Sequence, residues 1–367
     1  MVAPVTDTVG ARAHGRDNNF NLVRLVAAGL VLVSHSWPLT ATPGEPLERF
    51  ANFSLGHLGV DIFFVVSGFL VTGSLLARGS LASFVRARAL RIFPALVANA
   101  FGTAMLIGPF VTQLPLGRYF AAWDTWRFAL QNSTTWPWGV RWWLPGVFLH
   151  QPGGPAVNGA LWSLPWELTM YVMLAVLGAL LLRRRPLLTR AGVRNVVLFL
   201  AVAASLGHGL NEGLDWTERF EIVQGLRLVA LFFTAGALQL YRDRLPLSSP
   251  LFGAALVTLA AAMRWHGFAL ALYPPALGYV VLWLALVPAG ALRLYNRLGD
   301  YSYGFYLWQF PLQQCIVLAR PHVTQPQLLL ASLPAALLLA VVSWHVVEAP
   351  ALALKDRVTG APARATG

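Results

Sequence analysis

Two ionisable residues, Arg24 and His35, lie eleven positions apart in the otherwise apolar stretch NLVRLVAAGLVLVSHSW, residues 21–37. In an α-helix, eleven steps of about 100° return to within about 20° of the starting direction, so both side chains share one face roughly 16 Å apart along the axis. A guanidinium binds anions such as phosphate, and an imidazole exchanges protons near neutral pH. Taken alone, Arg24 fits equally well as a membrane-surface anchor and His35 as an interfacial polar residue.

Carboxylates occur in two further apolar stretches. Asp61 lies in GHLGVDIFFVVSGFL, and Glu167 lies in LWSLPWELTMYV. An acid beside a histidine orients the imidazole and stabilises its charged form, and an ionisable residue inside a membrane span is costly and therefore a functional candidate. Ser67 and Gly68 follow Asp61, where small residues also allow close packing of helices. We favour the packing explanation for Gly68.

A second basic pair, Arg88 and Arg91 in FVRARALRIFPAL, has the spacing i, i+3 and therefore lies on one helix face. Together with Arg24, this pair would suit an anion such as a phosphate. Ordinary positive charge at the cytoplasmic surface explains Arg86 better than Arg91, which lies deeper in its stretch. In the closing motif SWHVVEAP, Glu348 either pairs with one of these arginines or only compensates their charge.

The amino-acid composition indicates whether these residues lie in a soluble or a membrane protein. Of 367 residues, 57% are hydrophobic and 11% are charged, whereas soluble domains carry roughly a quarter charged residues. The sequence therefore predicts an all-α integral membrane protein. The net charge of +12 does not indicate nucleic acid as a partner, because the arginines form short clusters between apolar stretches. A single cysteine, Cys315, excludes an intrachain disulfide and a multi-cysteine metal site, and we predict no metal.

Ten stretches are candidates for membrane spans, each of which needs about 20 mostly apolar residues. Every basic cluster between them then falls on one side, which the positive-inside rule makes the cytoplasm. We predict a bundle of about ten transmembrane helices with both termini cytoplasmic: a tail at 1–19, one domain at 20–350 and a tail at 351–367. The predicted spans are 20–37, 57–77, 89–111, 160–182, 193–209, 222–241, 249–264, 267–289, 299–318 and 327–348.

This orientation sorts the ionisable residues by depth. Three arginines lie toward the cytoplasm, where they suit a donor that carries phosphate. An imidazole and two carboxylates lie toward the outside, where they suit proton transfer. The pattern indicates group transfer across the membrane, although a polysaccharide, lipid-linked or proton-coupled transporter would use much the same groups. The inner residues are Arg24, Arg88 and Arg91, and the outer residues are His35, Asp61 and Glu167.

The long segment 112–159 falls on the outer side and is rich in tryptophan, with glycines and prolines between the rings. We favour an aromatic belt on helices that lie at the membrane interface. The alternative is a lid that stacks its rings on a sugar acceptor. The tryptophans are Trp123, Trp126, Trp136, Trp138, Trp142 and Trp143.

These motifs, taken in order, resemble the membrane acyltransferase-3 family, which comprises polytopic acyltransferases of bacterial surface polysaccharides and related acceptors. The resemblance covers nearly the whole chain. Trp166 replaces the usual small aliphatic residue in LPWE, and the aromatic position before Glu348 is shifted toward Trp344 and His345. The motifs are the Arg24-x10-His35 spacing, GVDIFFVVSGFL, RARALRIFP, LWSLPWE before MYV, LGDYSYGFYLWQFP and SWHVVEAP.

The resemblance implies transfer of an acyl group, usually acetyl, from cytoplasmic acyl-CoA to a hydroxyl of an extracytoplasmic glycan or glycolipid, by an enzyme of the bacterial inner membrane. No permanently bound cofactor is implied, and the lipid bilayer is the other partner. His35 would be the general base, oriented by Asp61 or Glu167, and the three arginines would hold the CoA phosphates. Direct attack on the thioester and an acylated His35 both fit, as do acetyl, succinyl and longer acyl groups.

Four further residues are candidates for lining the route of the acyl group. Polar groups that only pack helices against each other explain them equally well. They are Ser67, Tyr301, Ser302 and Tyr306.

Overall fold

A computed structural model of the protein describes residues 7–357, except 14, 16, 52, 78–79, 138 and 183–185, and at 356–357 it describes the backbone alone. Trp138 and much of both predicted tails therefore lie outside the described residues. The described chain is all-helical and contains no β-strand. Its α-helices are α1 (Val9–Arg12), α2 (Phe20–Leu39), α3 (Pro46–Ala51), α4 (Leu55–Ala77), α5 (Leu81–Gly102), α6 (Gly108–Val111), α7 (Leu116–Ala121), α8 (Trp123–Asn132), α9 (Leu164–Leu181), α10 (Arg190–Leu214), α11 (Phe220–Leu240), α12 (Ser249–Trp265), α13 (Tyr273–Leu286), α14 (Ala291–Leu294), α15 (Ser302–Ala319), α16 (Gln325–Ser343) and α17 (Ala349–Arg357).

Shorter helical turns of other types join some of these helices. Two of them are π-helical, and a π turn shifts the phase of the side chains that follow it. The π segments are Thr103–Ile107 and Trp344–Glu348, and the 3-10 segments are Gly159–Ser163, Gly267–Leu272 and Tyr295–Arg297.

All ten predicted spans are helical in the structure. By length and composition, eight helices of the described chain can cross a membrane. The other two predicted spans correspond to α12, which is apolar but has 17 residues, and to α15, whose three glutamines lower its apolar character. The protein is therefore a multi-pass membrane protein, while the count of ten spans and the cytoplasmic termini stay predictions.

The chain folds into two compact units. The first unit comprises 1–27, 45–81 and 170–299, and the second comprises 28–44, 82–169 and 300–367.

Close packing of α4 against α11 forms the centre of the first unit. Gly68 of α4 lies so near the backbone of Phe232 in α11 that a Cβ at this position would clash with it. Phe232 and Phe233 are fully buried. The packing explanation for Gly68 is thus confirmed, because the two helix backbones can approach this closely only without a side chain at residue 68.

In the second unit, a proline determines how α15 is anchored. Pro311 has no N–H, so the carbonyl oxygen of Leu307, four residues earlier, loses its helical partner. The side-chain amides of Asn99 and Asn158 donate to this oxygen at 3.0 and 2.9 Å. Asn158 also caps the 3-10 turn before α9 by accepting from Ala160 N–H at 3.2 Å. One freed carbonyl therefore joins α15 to α5 and to the start of the α9 region.

Residues 112–159 contribute most of a small apolar core in the second unit, which also includes Ala104 of the π-helical segment. Tyr119 and Phe128 are fully buried in it. Burial raises the pKa of the Tyr119 hydroxyl to about 12, so the hydroxyl stays protonated and donates to the Ala104 carbonyl oxygen at 2.7 Å. Trp123 and Trp143 lie exposed outside this core. Exposed rings suit an interfacial belt and a sugar-binding lid alike, so both interpretations stand.

Candidate active site

The predicted base, His35, lies on α2, and the structure places the side-chain amide of Gln309 in α15 against it. His35 Nδ1 is 3.1 Å from Gln309 Nε2 and 3.3 Å from Gln309 Oε1, so the tautomer of the ring decides which amide atom is the partner. Phe310 packs edge-on against the imidazole, with 4.9 Å between ring centroids. Gln309 is 0% exposed, whereas His35 is partly exposed. Among the described residues, the group that orients His35 is therefore a neutral amide rather than the carboxylate expected from the sequence.

Glu167, one of the two predicted orienting acids, is partly buried in the first turn of α9. It lies close enough to Tyr306 of α15 for an electrostatic interaction. The Tyr306 hydroxyl donates to the Ala160 carbonyl oxygen at 2.5 Å, and the Ser163 hydroxyl lies 2.7 Å away. Tyr306 is thus a buried residue that joins α15 to the turn before α9, and its role along the acyl route stays a prediction.

Arg91 of α5 is bound to two carboxylates of the second unit. Its Nη2 is 2.5 Å from Asp300 Oδ2, and its Nη1 is 3.3 Å from Glu348 Oε2. Each carboxylate accepts a further hydroxyl, from Ser302 at 2.5 Å and from Ser343 at 2.9 Å. The expected pairing of Glu348 with one of the arginines is confirmed. Because this guanidinium already contacts two acids, a donor phosphate would have to share it with them.

The other two predicted anion-binding residues are Arg88 and Arg24. Arg88 is partly buried one turn earlier on α5. In the first unit, Arg24 packs over the ring of Phe63, with 5.6 Å from its guanidinium carbon to the ring centroid. Tyr301, directly before α15, has its ring centroid 6.1 Å from that of His345. The phosphate contacts of Arg24 and Arg88 stay predictions.

Asp61, the second predicted orienting acid, belongs to a buried cluster of the first unit. It is 0% exposed, and its Oδ2 accepts the Tyr273 hydroxyl of α13 at 2.7 Å. Its Oδ1 forms an ion pair with Arg227 Nε of α11 at 3.5 Å. Arg227 Nη2 also donates to Gln224 Oε1 at 2.5 Å, and its guanidinium carbon lies 5.8 Å from the ring centroid of Phe53. Ser67, on the same helix as Asp61, is buried.

Sequence reasoning missed Arg227 and, near it, His208 of α10. His208 is 3% exposed, interacts electrostatically with Arg227, and has no hydrogen-bond partner for either ring nitrogen among the described residues. Both residues lie inside predicted spans, where an ionisable side chain is costly. The rule that singled out Asp61 would have found them, whereas nothing in the sequence indicates that Gln309 faces His35.

Comparison with known proteins relates this arrangement to an enzyme family. Residues 17–345 match the family model described as an acyltransferase domain, the domain of the acyltransferase-3 family. The chain belongs to this family. The membership confirms the resemblance seen in the sequence motifs and makes the protein a membrane acyltransferase rather than a transporter.

Two relatives extend over nearly the whole acyltransferase chain. The chain is 29% identical over 351 residues to a protein of Shigella phage Sf6 named O-acetyl transferase, and the aligned region covers 91% of this chain and 95% of that protein. It is 30% identical over 372 residues to Nodulation protein 10 of Rhizobium leguminosarum bv. viciae, with 94% and 95% covered. No solved structure gives a significant match.

Proposed function

We propose that the protein transfers an acetyl group from cytoplasmic acetyl-CoA to a hydroxyl of an extracytoplasmic carbohydrate or glycolipid, in the inner membrane of a bacterium. Family membership and the relative named O-acetyl transferase support acetyl transfer to oxygen. The observation that carries the proposal is His35, a partly exposed imidazole held at Nδ1 by Gln309. An imidazole fixed at one nitrogen presents the other nitrogen as a base.

In the proposed reaction, Nε2 of His35 removes the proton of the acceptor hydroxyl while the hydroxyl oxygen attacks the thioester carbon. A C–O bond forms and the C–S bond breaks, so the sulfur of CoA leaves as a thiolate. The protonated imidazole then gives its proton to that thiolate. The products are an O-acetyl ester and the CoA thiol, and His35 returns to its neutral form. General-base catalysis of this kind contributes about 10²- to 10⁴-fold in rate.

For the donor, we propose that Arg88, which is partly buried on α5 one turn before Arg91, contacts a CoA phosphate. Arg91 would then act mainly by fixing α5 to Asp300 and Glu348. A phosphate contact of Arg24 stays part of the proposal on its sequence motif alone. For Glu167 we propose a place near the acceptor route beside Tyr306, and for Asp61 a structural role in its ion pair.

The test is transfer of label from radiolabelled acetyl-CoA in membranes that contain the wild-type protein, His35→Ala or His322→Ala. His322 lies exposed between α15 and α16 and serves as the control for loss of a histidine. Label is followed into the carbohydrate and lipid fractions of the membranes, with protein amounts matched. We expect His35→Ala to reduce transfer by about 10²- to 10⁴-fold and His322→Ala to leave it unchanged.

Normal transfer by His35→Ala at equal protein amounts would refute the base. A wild-type protein that neither transfers label nor binds acetyl-CoA would refute acetyl-CoA as the donor.

A further inference from the structure

Three glutamines of α15, at positions 309, 313 and 314, are all 0% exposed. Gln313 Nε2 donates to the Leu32 carbonyl oxygen at 3.1 Å, and Gln314 Nε2 donates to the Ala156 carbonyl oxygen at 2.9 Å. Those two amides therefore bind backbone. Gln309 differs, since among the described residues its hydrogen-bond partner is the titratable ring of His35.

We propose that Gln309 is a positioning residue for the reaction, which holds His35 as a neutral base with Nε2 directed to the acceptor hydroxyl. This inference rests on the proposed function. A buried amide without a partner costs about 1–3 kcal/mol, so Gln309 is constrained to stay bonded to the imidazole.

The neutral charge of the amide matters for the base. A carboxylate at residue 309 would stabilise the protonated imidazole and so reduce the fraction of His35 able to accept a proton. Burial of that carboxylate inside the protein would itself be costly. An amide orients the ring without adding charge, so His35 stays neutral until the acceptor hydroxyl delivers its proton.

The proposed role requires Oε1 of Gln309, rather than the slightly nearer Nε2, to face Nδ1 of His35. When Oε1 of Gln309 accepts Nδ1–H, the lone pair lies on Nε2. After Nε2 takes the acceptor proton, the same Nδ1–H bond joins a charged donor to Oε1 and becomes stronger. The partner thus stabilises the positive charge as it forms on the imidazole.

The surroundings of the ring are neutral as well. α15 contributes Gln309 and Phe310 to the ring, and one turn later Gln313 binds α2 at Leu32 and lies 3.4 Å from Ser332 of α16. Among the described residues, His35 forms no ion pair. The amide therefore controls the base without competition from a charged group in the described part of the chain.

The backbone near Gln309 is held firmly. Two residues before it, the carbonyl oxygen of Leu307 accepts from Asn99 and Asn158, and two residues after it, Pro311 fixes the local helix geometry. A positioning group is effective only when its own location is fixed. The hydrogen bonds to the Leu307 carbonyl oxygen, which Pro311 leaves without a helical partner, therefore help to fix the position of Gln309.

The experiment compares Gln309→Leu, Gln309→Glu and the control Gln313→Leu with the wild type and His35→Ala. The full-length proteins are assayed with labelled acetyl-CoA and the acceptors present in permeabilised membranes, so that both faces experience the same pH. Initial rates per folded molecule are measured as a function of acetyl-CoA concentration and of pH.

We expect Gln309→Leu to lower kcat by about 10- to 100-fold, as for a misplaced reacting group, with an unchanged KM for acetyl-CoA. Gln313→Leu, equally buried on the same helix, is expected to keep the wild-type kcat. Gln309→Glu is expected to retain turnover with the acid limb of its pH–rate profile moved to higher pH, because a carboxylate favours protonated His35. If the amide of Gln309 had only a structural role, the acid limb of the pH–rate profile would not move in Gln309→Glu.

Wild-type kcat and pH profile in all Gln309 variants, together with an inactive His35→Ala, would overturn this inference and leave the proposed function intact. The inference would also be overturned if Gln309→Leu and Gln313→Leu lost equal amounts of kcat and the pH–rate profile of Gln309→Glu were that of the wild type. An active His35→Ala would instead refute the proposed base, and the positioning role with it.

Discussion

Asp61 and His35, both ionisable residues within predicted spans, have opposite surroundings. In the first unit, Asp61 accepts one hydrogen bond, from Tyr273 at 2.7 Å, and forms an ion pair with Arg227 at 3.5 Å. In the second unit, the partly exposed His35 is bonded at one ring nitrogen to the neutral amide of Gln309. The first group is a buried carboxylate whose partners are side chains of the protein, whereas the second, in the proposed function, keeps one ring nitrogen for a substrate.

In the proposed function, this difference separates a structural site from a chemical one. A buried ion pair with a hydrogen bond on its second oxygen holds helices α4, α11 and α13 together, but it offers little to a reacting molecule. A general base must be free to gain a proton near neutral pH. The sequence alone gave both residues a catalytic assignment, and the structure shows that their surroundings differ.

The largest effect on stability is expected from breaking the charged group. Asp61→Ala leaves Arg227 buried without its carboxylate, which should cost about 3–5 kcal/mol of the free energy of unfolding. Thermal unfolding of the purified protein in detergent measures this loss. The double variant Asp61→Leu with Arg227→Leu should cost less than Asp61→Ala, because no unpaired charge remains. Equal or greater loss in the double variant would show that the pair is not held by its charges.

The next effect tests the close packing of α4, the helix that carries Asp61, against α11. Gly68→Ala places a methyl group against the backbone of Phe232 and should cost about 1–3 kcal/mol by overpacking. The matched control is Gly29→Ala on α2, the helix of His35, where a Cβ meets no neighbour within 4 Å. We expect the melting temperature to fall for Gly68→Ala alone. A similar fall in both variants would contradict the close approach of α4 and α11.

Most of the architecture could be predicted from hydropathy. All ten apolar stretches became helices, because a chain inside lipid must satisfy its backbone hydrogen bonds locally. The pairing of Glu348 with an arginine was one of the two alternatives for this residue, and the structure selects it, since a buried carboxylate needs a positive partner. Hydropathy did not show that Arg91 has a second acid, Asp300, because this residue lies at the very edge of the predicted span 299–318, two residues before α15 begins.

A third comparison uses the two arginines of α5. Arg88→Gln should raise the KM for acetyl-CoA about tenfold, roughly the contribution of one hydrogen bond to a charged group. Arg91→Lys, which keeps the charge beside Asp300 and Glu348, should raise it less. Donor titrations of the transfer reaction measure both values. An unchanged KM in Arg88→Gln would remove this residue from the donor site.

The smallest effect is expected from Glu348→Gln. Arg91 keeps Asp300 at 2.5 Å, so the loss of the weaker contact at 3.3 Å should cost only about 1 kcal/mol. Unfolding temperatures measure this loss. We expect the unfolding temperature to fall further for Asp300→Asn than for Glu348→Gln. If Glu348→Gln were the more harmful of the two, the longer contact would be the one that fixes α5.

The candidate site was predictable in its residue types and less so in its partners. His35 and Asp61 are conspicuous because they are ionisable within apolar stretches. Gln309 lies 274 positions from His35 in the sequence and is one of three neighbouring glutamines on its helix. Only the fold of α15 shows which of the three meets the imidazole, so the neutral partner could not be derived from spacing.

The most direct test of this account is label transfer from acetyl-CoA per folded molecule, compared between His35→Ala and the double variant Asp61→Leu with Arg227→Leu. We expect His35→Ala to be folded and inactive and the double variant, where it folds, to transfer acetyl groups at a rate near that of the wild type. Normal turnover in His35→Ala, or complete loss of turnover in a well-folded double variant, would contradict the division into a chemical and a structural site.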